Sequence, residues 1–304
     1  MRSSEYPANW IRLFIGASPS HNPMIRDTDQ TEKELLKLVD LTDVQTAITA
    51  KRLGWQAGNT PISAVTATPG RFGLRPANLD VQALQVATVT PDAFRPKRPL
   101  KIDWRELGRV SPVKSQGLCG ACVAFATCSA MESALAIAED NVATLDLSEA
   151  DLFFCGCGDC CESGWDFVPA LERAMKGVGL EADLPYELNT ECTPIPAALR
   201  VSSWQTALSA EDRRYAVARG PVIAGMRVYD DFRYYSGGIY EHATGDEVGL
   251  HAVCIIGYDD ESSCWIGKNS WSEAWGENGL FRIAYGQCGL DQEFPFIGIE
   301  VERA

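Results

Sequence analysis

The chain has 304 residues, 46% of them hydrophobic, with 41 acidic against 27 basic side chains and a formal charge of -14. That length and apolar content suffice for one large domain or two lobes that fold unaided. The acidic balance argues against nucleic acid or anionic lipid as partners. No apolar run reaches the roughly 18 residues that a membrane-crossing helix needs, so no membrane partner is expected either.

The first region, residues 1–98, holds none of the eleven cysteines. Residues 1–18 contain only the short apolar run Trp10 to Ile15, which lacks the core of a secretory signal. Eleven cysteines nevertheless favour an oxidising, extracytoplasmic or secreted setting, and their odd number leaves at least one free thiol. Thr31-Glu32-Lys33-Glu34 has the form of a capping box. Leu35, Leu38, Val39, Val44 and Ile48 follow at helical spacing, predicting one helix, or two broken near Thr42, before Gly54. From Gly58 to Pro99 the composition turns to Pro, Thr, Ala and Gly without periodicity, which reads as an extended segment.

Residues 99–304 carry stronger signals. Cys122 to Glu139 is Ala-rich with Val123, Phe125, Met131, Leu135 and Ile137, predicting a largely buried helix with Cys122 at its start. A second helix is predicted over Trp165 to Lys176. Beyond Pro221 the texture is strand-like: Val222 to Val228, His251 to Tyr258, Cys264 to Lys268 and Leu280 to Tyr285, with turns at Asp259-Asp260 and Glu277-Asn278-Gly279. A helical half thus precedes a β-rich half.

Candidate chemistry begins at Gln116-Gly117-Leu118-Cys119-Gly120-Ala121-Cys122. A helix start stabilises a thiolate through its unsatisfied amides and dipole, although buried cysteines are often inert core residues. The chain offers three histidines: His21 in the cysteine-free leader, His242 in a polar loop, and His251 opening an apolar strand. Asn269 ends another strand, in Lys268-Asn269-Ser270-Trp271. His251 and Asn269 follow Cys122 by intervals inside or near the roughly 130 to 150 residues typical of papain-type cysteine enzymes.

From Pro99 to Ala304 the chain resembles the papain and cathepsin family of cysteine proteases. Asp103-Trp104-Arg105, Val113-Lys114-Ser115-Gln116-Gly117 and Cys119-Gly120-Ala121-Cys122 carry the resemblance first. Leu147-Ser148-Glu149, Gly179-Leu180, Pro185-Tyr186 and Gly220-Pro221-Val222 continue it. His251-Ala252-Val253, Lys268-Asn269-Ser270-Trp271 and Trp275-Gly276-Glu277-Asn278-Gly279 complete it.

The resemblance implies an α+β, papain-like two-lobe fold, with a helical N-terminal lobe and a β-barrel-like C-terminal lobe facing across a cleft. It implies a cysteine endopeptidase acting on peptide or protein substrates through Cys122 as thiolate, His251 as its base and Asn269 as the group orienting the base. Gln116 and the Cys122 amide would stabilise the oxyanion, and Trp271 would shield the Asn269–His251 contact. Ser163, Gly164, Trp165, Gly249 and Leu250 would line the substrate cleft. Glu293 would close the main specificity pocket and admit an arginine as well as apolar residues. Two departures stand out: Val123 replaces an aromatic residue, and Ser163 replaces a glycine.

Family positions also imply the disulfides Cys119–Cys161 and Cys155–Cys192. Cys157–Cys160 and Cys254–Cys264 stand as further candidate pairs, with Cys128 and Cys288 left over. Neither metal nor cofactor is expected, and protein inhibitors of papain-like enzymes are expected partners. Residues 1–98 are read as a leader, either an autoinhibitory pro-region crossing or bordering the active site or a docking arm. Thr90-Pro91-Asp92-Ala93-Phe94 weakly resembles its end. Two other functions stay open, a catalytically silent papain-like binding protein and a transpeptidase.

Overall fold

The computed structural model describes residues 39–64, 72–75, 97–188 and 190–304. The capping box at Thr31 and the segment Thr90 to Phe94 lie outside them. The leader helix α1 spans Leu41–Lys51. Asp40 caps it, accepting from the Asp43 amide at 2.9 Å, and Arg52 ends it in the left-handed conformation. The cap sets the start of this helix at Leu41, just before Thr42, and the expected helical residues ahead of Val39 lie outside the described residues.

The helical lobe is built around α2, Cys122–Ala138. Its Ala-rich sequence presents so little bulk that neighbours approach from all sides, and nearly every residue through Ala136 is buried. Two shorter helices pack on it: α3, Glu149–Phe154, and α4, Phe167–Met175. Ser148 caps α3 by accepting from the Asp151 amide.

The second lobe is a sheet that carries the helix α5 (Ala210–Arg219). Its strands are β3 (Leu199–Ala207), β4 (Val222–Tyr229), β6 (Ile239–Tyr240), β7 (Glu247–Asp259), β8 (Cys264–Lys268), β9 (Leu280–Ala284) and β10 (Phe296–Arg303). Their order is β3-β10-β4-β7-β8-β9-β6, with β2 (Lys101–Asp103) pairing β7 off this path. The end strands β3 and β6 do not pair with each other among the described residues, so the expected barrel-like lobe is an open sheet. The reason lies in β3, whose Leu199 bridges Val178 and which packs on α4, turning this end toward the helical lobe.

In the leader, β1 (Gln56–Ala57) pairs antiparallel with β5 (Tyr235–Gly237). Trp55 packs on Tyr235 and Tyr240 at centroid distances of 6.2 and 5.0 Å. The leader is therefore docked on the sheet lobe before it reaches the cleft.

Candidate active site

Cys122 sits at the first turn of α2, facing β7. Its Sγ accepts from the Ala252 amide at 3.3 Å, one residue from His251. The β4–β7 register places Met226 opposite His251, and β8 ends where Asn269 begins. Asn269 Oδ1 lies 2.8 Å from His251 Nε2 and accepts from the Ser270 amide at 2.8 Å. The second contact fixes which end of the Asn269 amide meets the ring. Trp271 covers this pair, its ring 4.8 Å from the imidazole.

Gln116 is buried beside the same site. Ser270 Oγ donates to its Oε1 at 2.5 Å, and its Nε2 donates to the Cys119 carbonyl at 2.8 Å. With the carbonyl end held by Ser270, the amide nitrogen is kept on the side of the Cys122 loop. Ser270 was not singled out from the sequence; a polar residue following Asn269 was the available signal.

The leader segment Phe72–Arg75 runs between the lobes as an inserted strand. Gly73 bridges His251 antiparallel and Leu74 bridges Trp165 parallel. The Trp165 amide donates to the Gly73 carbonyl at 2.7 Å, Leu74 donates to the Leu250 carbonyl at 3.2 Å, and Arg75 donates to the Trp165 carbonyl at 3.2 Å. A Cβ on Gly73, which has φ +91, would lie 2.2 Å from the Gly120 carbonyl oxygen. One on Gly164 would lie 2.2 Å from the Gly73 oxygen. Both glycines are required by this backbone approach. A Cβ on Gly249 would meet the Phe72 ring. The segment Phe72–Arg75 thus touches Gly164, Trp165, Gly249 and Leu250. Ser163 joins them through the Arg75 side chain, at 3.0 Å to Oγ and 3.3 Å to its carbonyl.

His251 Nδ1 lies 3.0 Å from the Phe72 carbonyl oxygen. Oxygen acceptors at both nitrogens favour the doubly protonated ring, but complete burial outweighs them and lowers the pKa from its ordinary 6.5. Burial pushes the Cys122 thiol up to about 12, against backbone amides of Ala252, Val123 and Cys122 that favour the thiolate. With the segment seated, thiol and imidazole are both held toward their neutral forms.

Glu293 is not free. Its two oxygens lie 3.0 and 3.1 Å from Arg227 Nε and one lies 2.5 Å from Arg227 Nη2, while Arg227 Nη1 reaches Glu247 at 2.7 Å. Arg227 is a lone charge in the apolar run Val222 to Val228; that oddity was its only sequence signal.

Three disulfides join Cys119–Cys161, Cys155–Cys192 and Cys157–Cys160. The Cys254–Cys264 candidate is not formed. The β7–β8 register sets Cys264 opposite Asp259 and Cys254 opposite Lys268, so the two thiols sit at different levels of the hairpin. Among the described residues no cluster suited to a metal ion occurs.

Comparison with known proteins places this geometry. The papain family cysteine protease profile matches residues 98–296. Ananain from Ananas comosus is 33% identical over 207 residues, covering 63% of this chain and 59% of ananain. A viral cathepsin of Epiphyas postvittana nucleopolyhedrovirus is 37% identical over 210 residues, covering 65% of this chain and 64% of that protein. The chain therefore spans less than two thirds of either relative. Procathepsin B S9 from Trypanosoma congolense has the same fold, with a TM-score of 0.73 at 24% identity over 87% of this chain and 99% of that one.

Proposed function

The chain belongs to the papain family of cysteine proteases, and from that premise we propose that it is an endopeptidase held inactive by its own leader. The observation that carries the proposal is the leader carbonyl of Phe72 on His251 Nδ1, with Cys122 buried and its Sγ on the amide of the next residue, Ala252.

In this reading residues 1–98 are a pro-region and residues 99–304 the catalytic domain. Displacing Phe72–Arg75 frees Nδ1 to take the Cys122 thiol proton. The thiolate, at the start of α2, attacks the scissile carbonyl. Gln116 Nε2 and the Cys122 amide stabilise the resulting oxyanion. The imidazolium returns its proton to the leaving amine, and water then hydrolyses the thioester. Asn269 keeps the ring oriented throughout, and Trp271 keeps water from their contact. Trp165 and Leu250, whose backbone now bonds the leader, hold the substrate backbone in its turn, and Gly164 and Gly249 leave room for it. Three disulfides favour an oxidising, extracytoplasmic setting for this work. Peptides and proteins are the substrates, and protein inhibitors of this family are fitting partners for the same cleft.

The test is hydrolysis of a fluorogenic Phe-Arg peptide by the full chain before and after limited proteolysis of the leader. Turnover is expected to appear on cleavage and to vanish with Cys122→Ala. Absence of turnover, together with no labelling of Cys122 by a thiol-directed epoxide, would favour a silent binding protein instead.

A further inference from the structure

The Leu74 side chain is buried in the cleft against β4. It is only 6% exposed and packs in the buried cluster that includes Ala252 and Phe294. The floor of its seat is Gly225, where a Cβ would lie 2.9 Å from Leu74 Cδ2 and 2.6 Å from the Phe294 ring. Leu250 supplies the wall, accepting the Leu74 amide. The pocket exists because β4 has no side chain at this position.

Two residues along β4, on the same face of the strand, stands Arg227. It lies opposite Leu250 in the β4–β7 register, at the rim of the same pocket. Next to Phe294 stands Glu293. Arg227 takes up both Glu293 oxygens and then reaches Glu247, an arrangement that holds the Glu293 carboxyl below its usual range. The arginine next to Leu74 goes elsewhere: Arg75 lies on Ser163 and 3.5 Å from Asp166, across the cleft.

We propose that Arg227 is a specificity-determining residue, occupying Glu293 so that the Leu74 pocket selects an apolar side chain over an arginine. The inference rests on the endopeptidase reading and deepens it. An arginine entering the pocket would find the Glu293 oxygens already bonded and a second guanidinium beside it. Like charges at that distance repel, and the displaced Arg227 would have to find new partners. Both ion-pair partners are partly exposed, so salt weakens the effect.

The first test uses the full chain and needs no turnover. Leu74→Arg, Arg227→Ser and the double variant are treated with iodoacetamide, and modification of Cys122 is read by peptide mass spectrometry. Leu74→Arg is expected to unseat the leader and speed modification by about tenfold or more. Arg227→Ser in the same chain, by releasing Glu293 to pair with the new arginine, is expected to reverse most of that increase. Equal rates for Leu74→Arg and the double variant would overturn the proposal. Melting curves establish that each variant is folded.

The second test uses leader-cleaved protein with two reporter peptides that share a terminal arginine and carry Phe or Arg before it. The Arg-Arg to Phe-Arg ratio is expected to rise about tenfold in Arg227→Ser, and the gain to shrink at high salt. Measurable turnover with an unchanged ratio overturns the specificity proposal alone. No turnover of either peptide by the wild-type chain overturns the endopeptidase reading, and the alkylation comparison then still decides the role of Arg227.

Discussion

Phe72 sets its carbonyl oxygen 3.0 Å from Nδ1 of His251, at the nitrogen that the proposed reaction needs free. In the proposed reading the leader does more than fill space, because its carbonyl oxygen occupies the position beside Nδ1 that the thiol must reach. Its neighbours Gly73 and Leu74 hold the strand in place from both lobes.

Closure should weaken in acid. Burial lowers the His251 pKa below 6.5 while the leader is seated, whereas a released, solvated ring returns toward 6.5. The closed form thus binds fewer protons than the open form, so its advantage is full above about pH 6.5 and is lost as pH falls through the lowered value. In a Cys122→Ala chain, cleavage of the leader by an added protease, scaled to its activity at each pH, should quicken below this point. His251→Gln, which does not titrate in this range, should flatten that part of the profile. Identical profiles would show that other groups drive the opening.

Gln116→Ala removes an amide that Ser270 holds beside the Cys122 loop. In leader-cleaved protein, kcat is expected to fall about 10²–10³-fold with KM little changed, as for loss of one oxyanion donor. A loss confined to KM would assign Gln116 to substrate binding instead.

Gly164→Ala places a methyl group where the leader backbone runs and where, in the proposed reading, the substrate backbone follows. The full chain should then label faster at Cys122, while the leader-cleaved chain turns peptide over more slowly. A chain that labels and turns over as the wild type does would deny that the two share this track.

Away from the cleft, Lys114 Nζ contacts Glu149 at 2.8 Å and Asp146 at 2.5 Å and lies 3.7 Å from Glu132. Glu132 on α2 and Glu149 at the start of α3 are both buried. Lys114→Met leaves two buried carboxylates without their cation, and urea unfolding should show a loss of about 3–5 kcal/mol. A loss well under 1 kcal/mol would mean that Lys268, bonded to Ser111 at 2.9 Å, suffices for the cluster.

Periodicity and turn signals carried the local structure well where the pattern was strong. The strand Cys264–Lys268 and the helix from Cys122 occur as expected, because apolar runs and an Ala-rich stretch leave little choice. The helix Glu149–Phe154 and strands β3 and β10 were not legible, being short or half exposed and formed by tertiary pairing. Cys122, His251, Asn269 and Gln116 announced themselves through spacing and family resemblance. The pairing of Arg227 with Glu293 did not, since 66 residues separate them and only the fold brings them together. The same holds for Phe72–Arg75, which have no periodicity of their own and owe their extended form to the cleft.

The most direct measurement compares peptide turnover by three full-length chains: wild type, Gly73→Ala, and Gly73→Ala with Cys122→Ala. An alanine at position 73 cannot keep φ +91 or its closeness to Gly120. The account predicts that Gly73→Ala turns over peptide at least about tenfold faster than wild type and that Cys122→Ala abolishes the gain. Equal turnover by wild type and Gly73→Ala, or turnover that survives Cys122→Ala, would contradict it.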